Sequence, residues 1–376
     1  MADNAVMNDP MDNGGRPEKV RMSNFELLRI AAMFMIIAHH FAVHGGFEFP
    51  ADTLTVNRFW IQIMRFGGKV GVDIFVLISG YFLIKSNSER LIQKTLKLSL
   101  QIWFYSAVIF ILFTTLKLEP LSLKGLAKTV FPISYSRWWF ASTYLVLFII
   151  SPYLNKLLLS LTRAEYIRFL ALNIVIWCIL STILHTAWEA DDLVWFIILY
   201  AAAAYIRLPV EIDRIDPKKL IILAVVMFIL TMSLTLIYEF AGRGEPWFYE
   251  QNHIPVFVIS VTLFLLFSKL KMKHNRFVNL ISQTTFGIYL IHDDRSVRSF
   301  LWKTLFKNAS YAESGLLIPY SIICVIVVFA ACSCIELVRI YALEKRYSGL
   351  LDAASERIKK LTDKIFELPV FQKYIH

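Results

Sequence analysis

Long apolar stretches separated by short charged segments dominate this chain of 376 residues. A helix needs about 20 apolar residues to cross a bilayer whose hydrocarbon core is about 30 Å thick. Ten segments of this kind are predicted, and they lie near residues 24–43, 69–85, 97–116, 138–155, 167–184, 193–208, 219–238, 254–268, 277–292 and 315–338. The sixth and ninth are short for a bilayer, so we expect neighbours to bury them or a break to interrupt them. Because 57% of the residues are hydrophobic and 18% charged, the predicted fold is an all-α transmembrane helix bundle.

The basic residues predict how these spans are oriented. With the N-terminus inside, the inner segments hold 26 Lys and Arg residues, whereas the outer loops hold 12. This inner excess follows the positive-inside rule, so both termini are predicted to lie in the cytosol. The rule also accounts for the net charge of +10 without a nucleic-acid partner.

Two segments flank the predicted bundle of residues 23–340. Residues 1–22 are polar and lack the apolar core of a signal peptide, which predicts a disordered cytosolic leader. Residues 341–376 mix basic and apolar side chains at helical spacing, which predicts an amphipathic helix on the inner leaflet. Since no soluble catalytic domain follows the tenth span, we expect any chemistry to occur within the bundle.

A stripe of polar side chains runs along the first span. Arg29 and His40 are eleven positions apart, about 20° more than three helical turns, so they share one face about 16 Å apart. Glu26 and His44 lie near the same stripe, whereas His39 points about 100° away. Lipid offers these groups no partners, so the stripe must face the bundle interior or a cavity. It is either a structural polar network or a site in which histidine moves a proton and arginine binds an anion.

The second span, "VGVDIFVLISGYFLI", carries an acid and two small residues. Asp73 is an intramembrane carboxylate. Because burying an unpaired carboxylate in a membrane is energetically costly, we expect Asp73 to have a partner, either Arg29 or His40. Ser79 and Gly80 allow close packing of helices, and Ser79 is also a candidate binding residue.

Two lysines at the start of the third span have two interpretations. Lys94 and Lys97 are three positions apart at the predicted inner end. They are either ordinary positive-inside anchors or, if they face a cavity, point charges that bind phosphate.

Together these motifs resemble the acyltransferase family 3 of membrane proteins, over nearly the whole of residues 23–340. Arg29-x10-His40 matches the basic residue, ten intervening residues and histidine of that family's first span, and the second span matches its Ser-Gly-Phe/Tyr-Leu motif. "KTLK" stands where many members carry Arg-x-x-Arg. "SRWWFASTYLVLFIISPYLNKLL" is similar to the fourth span of many Gram-positive members, and "TTFGIYLIHDD" is similar to a late segment that ends in histidine.

The resemblance implies an activity and its partners. Members transfer an acyl group, usually acetyl from acetyl-CoA, to a hydroxyl that often belongs to a cell-surface glycan. We therefore expect an acyl-CoA-dependent O-acyltransferase in the cytoplasmic membrane of a bacterium. The expected partners are acyl-CoA, a glycan or lipid-linked saccharide acceptor, membrane lipid and proteins of polysaccharide assembly. Acyl-CoA is a co-substrate, and no resident cofactor or metal is expected because no Cys/His cluster has zinc-ligand spacing.

The residue patterns and the resemblance together name the candidate site. His40 is the expected general base or acyl relay, assisted by Arg29 and Asp73. Candidate donor- and substrate-binding residues are Lys94, Lys97, Ser79, Trp139, Tyr289 and His292, although Trp139 with its neighbour is alternatively part of an aromatic belt at the membrane interface. A transporter of a lipid-linked saccharide or an acylated small molecule is the alternative function, since it also carries charge in its core, but no internal repeat supports it.

Overall fold

The computed structural model describes residues 21–50, 54–86, 91–184, 192–208, 215–242 and 247–366. Within these ranges all regular secondary structure is helical, which confirms the all-α prediction. The predicted leader, residues 1–22, lies outside the described residues except for its last two positions.

Helices α1 to α7 form the first half of the chain. They are α1 (Ser23–His44), α2 (Val56–Leu83), α3 (Leu91–Thr115), α4 (Leu123–Val130), α5 (Trp139–Ser160), α6 (Arg163–Ile174) and α7 (Ser181–Leu184), with a π-helical turn at Val175–Leu180 between the last two. Local sequence sets several of their starts. The Ser122 side chain caps α4, and Thr162 forms a reciprocal capping box with Glu165 at the start of α6.

Helices α8 to α15 form the second half. They are α8 (Asp192–Arg207), α9 (Pro217–Phe240), α10 (Ile254–Lys269), α11 (Arg276–Ser282), α12 (Thr285–His292), α13 (Arg295–Ser299), α14 (Leu317–Val338) and α15 (Lys345–Phe366), with π-helical turns at Phe300–Leu305 and Arg339–Glu344. Short 3₁₀ turns occupy Trp247–Tyr249 and Asn308–Tyr311. The Asp216 side chain caps α9, whose first residue is Pro217, a favoured residue at that position.

Seven helices in the described ranges are long and apolar enough to cross a membrane: α1, α2, α3, α5, the continuous α6–α7 segment, α9, and α14 with its extension. The predicted sixth and eighth spans are helices α8 and α10 of 16 residues each. The predicted ninth span is broken between Ser282 and Thr285 into α11 and α12. A short sixth and a broken ninth segment agree with the sequence, while the count of about ten spans and the orientation of the termini stay predictions.

Helices α1 and α2 run antiparallel through the centre of the bundle. Phe25 near the start of α1 packs on Tyr81 near the end of α2, with ring centroids 4.9 Å apart. At the other end of α1, His39 contacts the backbone carbonyl of Arg65. Helices α8 and α10 flank α2, and α11, α12 and α14 flank α1. We name the two ends of the bundle the Arg29 end and the His40 end.

Close packing of α2 on α8 depends on Gly80. A Cβ atom at this position would lie 2.6 Å from the backbone carbonyl oxygen of Tyr200, well inside van der Waals contact. The packing role predicted for Gly80 is therefore correct. Because α8 is covered by its neighbours, most of its residues are buried, including Trp195 and Tyr200.

We predict that Gly80→Ala destabilises the protein by about 1–3 kcal/mol, because the added methyl group overpacks the α2–α8 contact. Thermal unfolding in detergent, followed by size-exclusion chromatography, measures the change. Gly315→Ala is the matched control, since a Cβ there meets no atom within 4 Å. Equal melting temperatures for both variants would contradict the packing argument.

Candidate active site

A cavity of about 270 Å³ lies at the Arg29 end of the bundle. Three of the predicted site residues, Arg29, Ser79 and Lys97, line it. They come from α1, α2 and α3, so the fold joins positions that are far apart in sequence. The hydroxyl of Ser79 lies 3.0 Å from that of Tyr144, which also lines the cavity.

Basic side chains outnumber acidic ones around this cavity. The basic side chains are Arg21, Arg29, Lys97 and Arg339, and the acidic ones are Glu336 and Glu344. Arg29 lies 3.4 Å from the Glu26 carboxylate, as its spacing on α1 predicts, and Lys97 pairs with Glu344. The cavity can therefore attract an anion, although part of its positive charge is already paired.

A buried ion pair between Glu336 near the end of α14 and Arg339 just after it forms one wall of the cavity, and no motif in the sequence predicted it. Arg339 donates to the Glu336 carboxylate through Nε at 2.9 Å and Nη2 at 2.8 Å, while Gln101 and Tyr105 donate to the same carboxylate. A Cβ at Gly287 would lie 2.4 Å from the Glu336 Cδ, so glycine in the "FGIY" motif leaves room for the acid. The signal in the sequence is an acid and a base three positions apart at the end of an apolar span.

A pair of histidines lies at the His40 end. His40 Nδ1 and His292 Nε2 are 2.9 Å apart, and His292 Nδ1 lies 2.6 Å from the backbone carbonyl oxygen of Ile288. Both side chains are buried, His292 completely. The break before α12 makes this possible, because α12 ends at His292 beside α1.

These contacts assign the tautomer of each ring. A carbonyl oxygen only accepts, so His292 Nδ1 carries the hydrogen and donates it to Ile288. His292 Nε2 is then the acceptor, and His40 Nδ1 donates to it. This leaves His40 Nε2 with a free lone pair. The structure thus gives the predicted base an orienting partner, and that partner is His292 rather than Asp73.

An acid and a base that the sequence analysis did not single out complete this cluster. The Oδ1 atom of Asp293 lies 3.4 Å from His40 Nε2 and 3.1 Å from Arg298 Nη1. Burial raises the pKa of the Asp293 carboxyl to about 6, and Arg298 opposes the shift. Asp293 is the second-last letter of the "TTFGIYLIHDD" motif, and Arg298 lies four positions beyond its end.

Three side chains at this end have the spacing of metal ligands. His40, His44 and Asp293 offer one ligand atom each, and these atoms lie within 4.8 Å of one another. The guanidinium of Arg298 already contacts the Asp293 carboxylate, so a divalent ion there would face a neighbouring positive charge. The cluster therefore fits a proton-transfer site better than a cation site.

Two predicted site residues lie away from both groups. Asp73 is fully buried, and its Oδ1 accepts a hydrogen bond from Trp195 Nε1 at 3.1 Å. This contact takes the place of the predicted pairing with Arg29 or His40, because Asp73 faces α8 and not α1. Lys94 lines a separate small pocket beside Asn155, so it does not share the cavity of Lys97.

Of the remaining candidates, Tyr289 lies near the histidine pair. Tyr289 is buried, and its ring centroid lies 6.5 Å from that of His292 and 5.5 Å from that of Phe140. Trp139 is half buried, with Lys69 Nζ 5.6 Å above its ring. Trp138 is fully buried, so it does not belong to a lipid-facing aromatic belt.

A family model described as an acyltransferase domain, that of acyltransferase 3, matches residues 22–337. The chain belongs to the acyltransferase 3 family. No curated protein and no solved structure gives a significant match. The match runs from α1 nearly to the end of α14, so it includes the histidine pair and the cavity residues Arg29, Ser79 and Lys97. Since the described part of the chain holds seven helices of membrane-spanning length, this family member is a multi-pass membrane acyltransferase.

We predict that His292→Leu lowers acyl transfer by about 10- to 100-fold, because His40 loses the acceptor that fixes its tautomer; loss of a base itself costs about 10²–10⁴-fold. His292→Gln has similar size and keeps an oxygen that accepts from His40 Nδ1, so it should recover much of the rate. Initial rates and melting temperatures of both variants test this. If both variants are equally active, His292 serves packing and not orientation.

Proposed function

We propose that the protein transfers an acyl group, acetyl in the simplest case, from acyl-CoA to a hydroxyl group of a glycan or lipid-linked saccharide. The observation that carries this proposal is the arrangement of two sites along α1. A cavity rich in basic residues lies at the Arg29 end, and a histidine with a free Nε2 lies about 16 Å away at the other end. Acyltransferase 3 membership supplies the reaction class.

The Arg29-end cavity suits the phosphates of acyl-CoA. Arg29 supplies a planar guanidinium that suits the oxygens of a phosphate group, and Lys97 supplies a point charge in the same cavity. Since acyl-CoA is cytosolic, this end would face the cytosol, in line with the positive-inside count for the chain. The localisation that follows is the cytoplasmic membrane of a bacterium, with the acceptor entering from the His40 end.

Aromatic side chains link the cavity to the histidine pair. Phe140 lines the cavity, its ring lies 5.5 Å from Tyr289, and the Tyr289 ring lies 6.5 Å from His292. Two aromatic rings in succession, those of Phe140 and Tyr289, thus lead from the cavity to His292. The thin pantetheine arm of acyl-CoA can reach the base if these rings turn aside.

His40 is the proposed general base. Its Nε2 takes the proton of the acceptor hydroxyl while the oxygen attacks the thioester carbonyl. The C–S bond then breaks, and the CoA thiolate takes the proton from the imidazolium. While it is charged, the imidazolium lies beside the Asp293 carboxylate, 3.4 Å away, and its Nδ1–H remains bonded to His292. In the variant of this mechanism with an acyl relay, Nε2 attacks the thioester carbonyl, and the C–S bond breaks to release the CoA thiolate. The acceptor hydroxyl then takes the acyl group from Nε2, the N–C bond breaks, and the hydroxyl proton passes to the thiolate.

We predict that His40→Ala reduces O-acylation of surface glycans and lipids by about 10²–10⁴-fold, since it removes the base. Mass spectrometry of O-acyl groups in cells that carry each variant measures the effect, with immunoblots of the membranes to show equal protein. His39→Gln is the matched control: the neighbouring ring contacts the Arg65 carbonyl and not His292. Wild-type acylation by His40→Ala would remove this residue from catalysis.

We also predict that Lys97→Gln weakens binding of acetyl-CoA by about two- to fivefold, the effect of one partly exposed charge. Lys94→Gln removes the same charge one helical turn away, outside the cavity, and should leave binding near the wild-type value. Equilibrium binding of radiolabelled acetyl-CoA to purified protein compares them. Equal affinities for the two variants would show that both lysines act only as topology anchors.

A further inference from the structure

A second large cavity opens at the His40 end of the bundle, with a volume of about 600 Å³. It is formed by α4, α13 and the loops beside them, and it is distinct from the cavity that holds Arg29. Its volume falls in the range of about 300–1,000 Å³ that small-molecule sites occupy. One lining residue, Ser136, has a φ of +46°, a backbone conformation that costs about 1 kcal/mol or more in a residue other than glycine.

Positive charge dominates the lining. Five basic side chains, Lys124, Lys128, Arg137, Arg295 and Arg298, line this cavity, together with two acidic ones, Glu119 and Asp294. The predicted outer loops as a whole are close to neutral, since acidic residues are about as numerous there as basic ones. The positive-inside rule therefore does not account for a basic cluster at this end of the bundle.

The five basic side chains differ in whether they are already paired. Arg137 Nε lies 2.8 Å from Asp294 Oδ2, and Arg298 Nη1 lies 3.1 Å from Asp293 Oδ1. Lys124, Lys128 and Arg295 form no ion pair or side-chain hydrogen bond with any residue that the structure describes. Their charges are thus available to a ligand.

The cavity adjoins the proposed base. Arg298 lines it and pairs with Asp293, whose carboxylate lies 3.4 Å from His40 Nε2. The side chains of Arg298 and Asp293 therefore connect the wall of the cavity to the reacting nitrogen. Arg137, which is half-buried, is held in place by Ser106 and Thr129, whose hydroxyl groups accept hydrogen bonds from its Nη1.

From this arrangement we infer that the cavity binds the acceptor and that the acceptor is an anion, a saccharide that carries a carboxylate or phosphate group beside the hydroxyl that is acylated. The inference rests on the proposed function, because it assigns the acceptor class to the same His40 site. The lysines and Arg295 would hold the anionic group, since ammonium and guanidinium groups bond strongly to carboxylate and phosphate oxygens. Arg298 would mark the side of the cavity that leads to the base.

Matched acceptors test the charge requirement. Purified protein in nanodiscs is given acetyl-CoA with a glucuronic-acid oligosaccharide or with its carboxyl-reduced counterpart, which differs only in charge. A sugar phosphodiester and the same sugar without phosphate form a second pair. Comparison of the two pairs shows whether the cavity prefers a carboxylate or a phosphate group. We expect at least one anionic member to have kcat/KM on the order of tenfold above its neutral counterpart, as three available charges would give. Equal values within both pairs overturn the inference.

Two triple variants localise the effect. Lys124→Gln with Lys128→Gln and Arg295→Gln should bring the ratio of anionic to neutral acceptor close to one. Lys117→Gln with Lys303→Gln and Lys307→Gln removes the same charge from residues that do not line the cavity, and the ratio should persist. If both triple variants lower the ratio equally, the preference is a general surface effect and the cavity is not the acceptor site.

A binding measurement keeps the inference separate from the reaction. Fluorescent forms of the same oligosaccharides are titrated against the protein without acetyl-CoA. If the anionic form binds more tightly and only the cavity variant abolishes this preference, the result supports the anion site. That conclusion holds even if no acyl transfer is detected; the proposed function would then be wrong and the binding site correct. Transfer to neutral and anionic acceptors at equal rates, with equal binding, preserves the proposed function and refutes the anionic acceptor.

Discussion

The hydrogen bond between His40 and His292 depends on one constraint that determines how the whole bundle packs: polar side chains within the membrane must be covered by protein. Lipid cannot satisfy a charged or polar side chain, so α1 must be covered along the face that carries Arg29 and His40. Helix α2 packs along one side of α1, and α11, α12 and α14 cover another. Because the ninth apolar segment breaks into α11 and α12, its second half ends beside α1 and delivers His292 to the base.

The face of α1 was predictable because helical geometry fixes it. Eleven positions return a side chain to almost the same angle, whatever surrounds the helix. The partner of His40 could not be predicted in the same way. The two histidines are 252 positions apart, and the sequence alone does not show which helices contact each other. The motif "FGIYLIH" marked His292 as a candidate, but only the structure shows, through the contact of Nδ1 with the Ile288 carbonyl one turn earlier in α12, which ring nitrogen carries hydrogen.

Asp73 shows that the energetic cost of burying an acid does not by itself identify the partner of that acid. A buried acid needs a partner, and the sequence suggested a charged or titratable one. The structure supplies an indole N–H from Trp195 instead, on the side of α2 that faces α8. Lys94 and Lys97 also lie apart, although they are only three positions apart on one helix: they line different pockets. The neighbouring helices, and not the spacing along α3, determine which pocket each lysine lines.

Arg29 and His40 each have the chemistry that the proposed reaction requires at their own end of α1. Arginine stays charged in nearly any environment, so Arg29 can attract phosphate but cannot exchange a proton. Histidine exchanges protons near neutral pH, but only if one ring nitrogen is free, and His292 secures that by occupying the other. Exchanging the two residues would leave the anion site with a group that loses its charge and the reacting centre with one that cannot accept a proton. A single helix therefore joins two incompatible electrostatic tasks by placing them three turns apart.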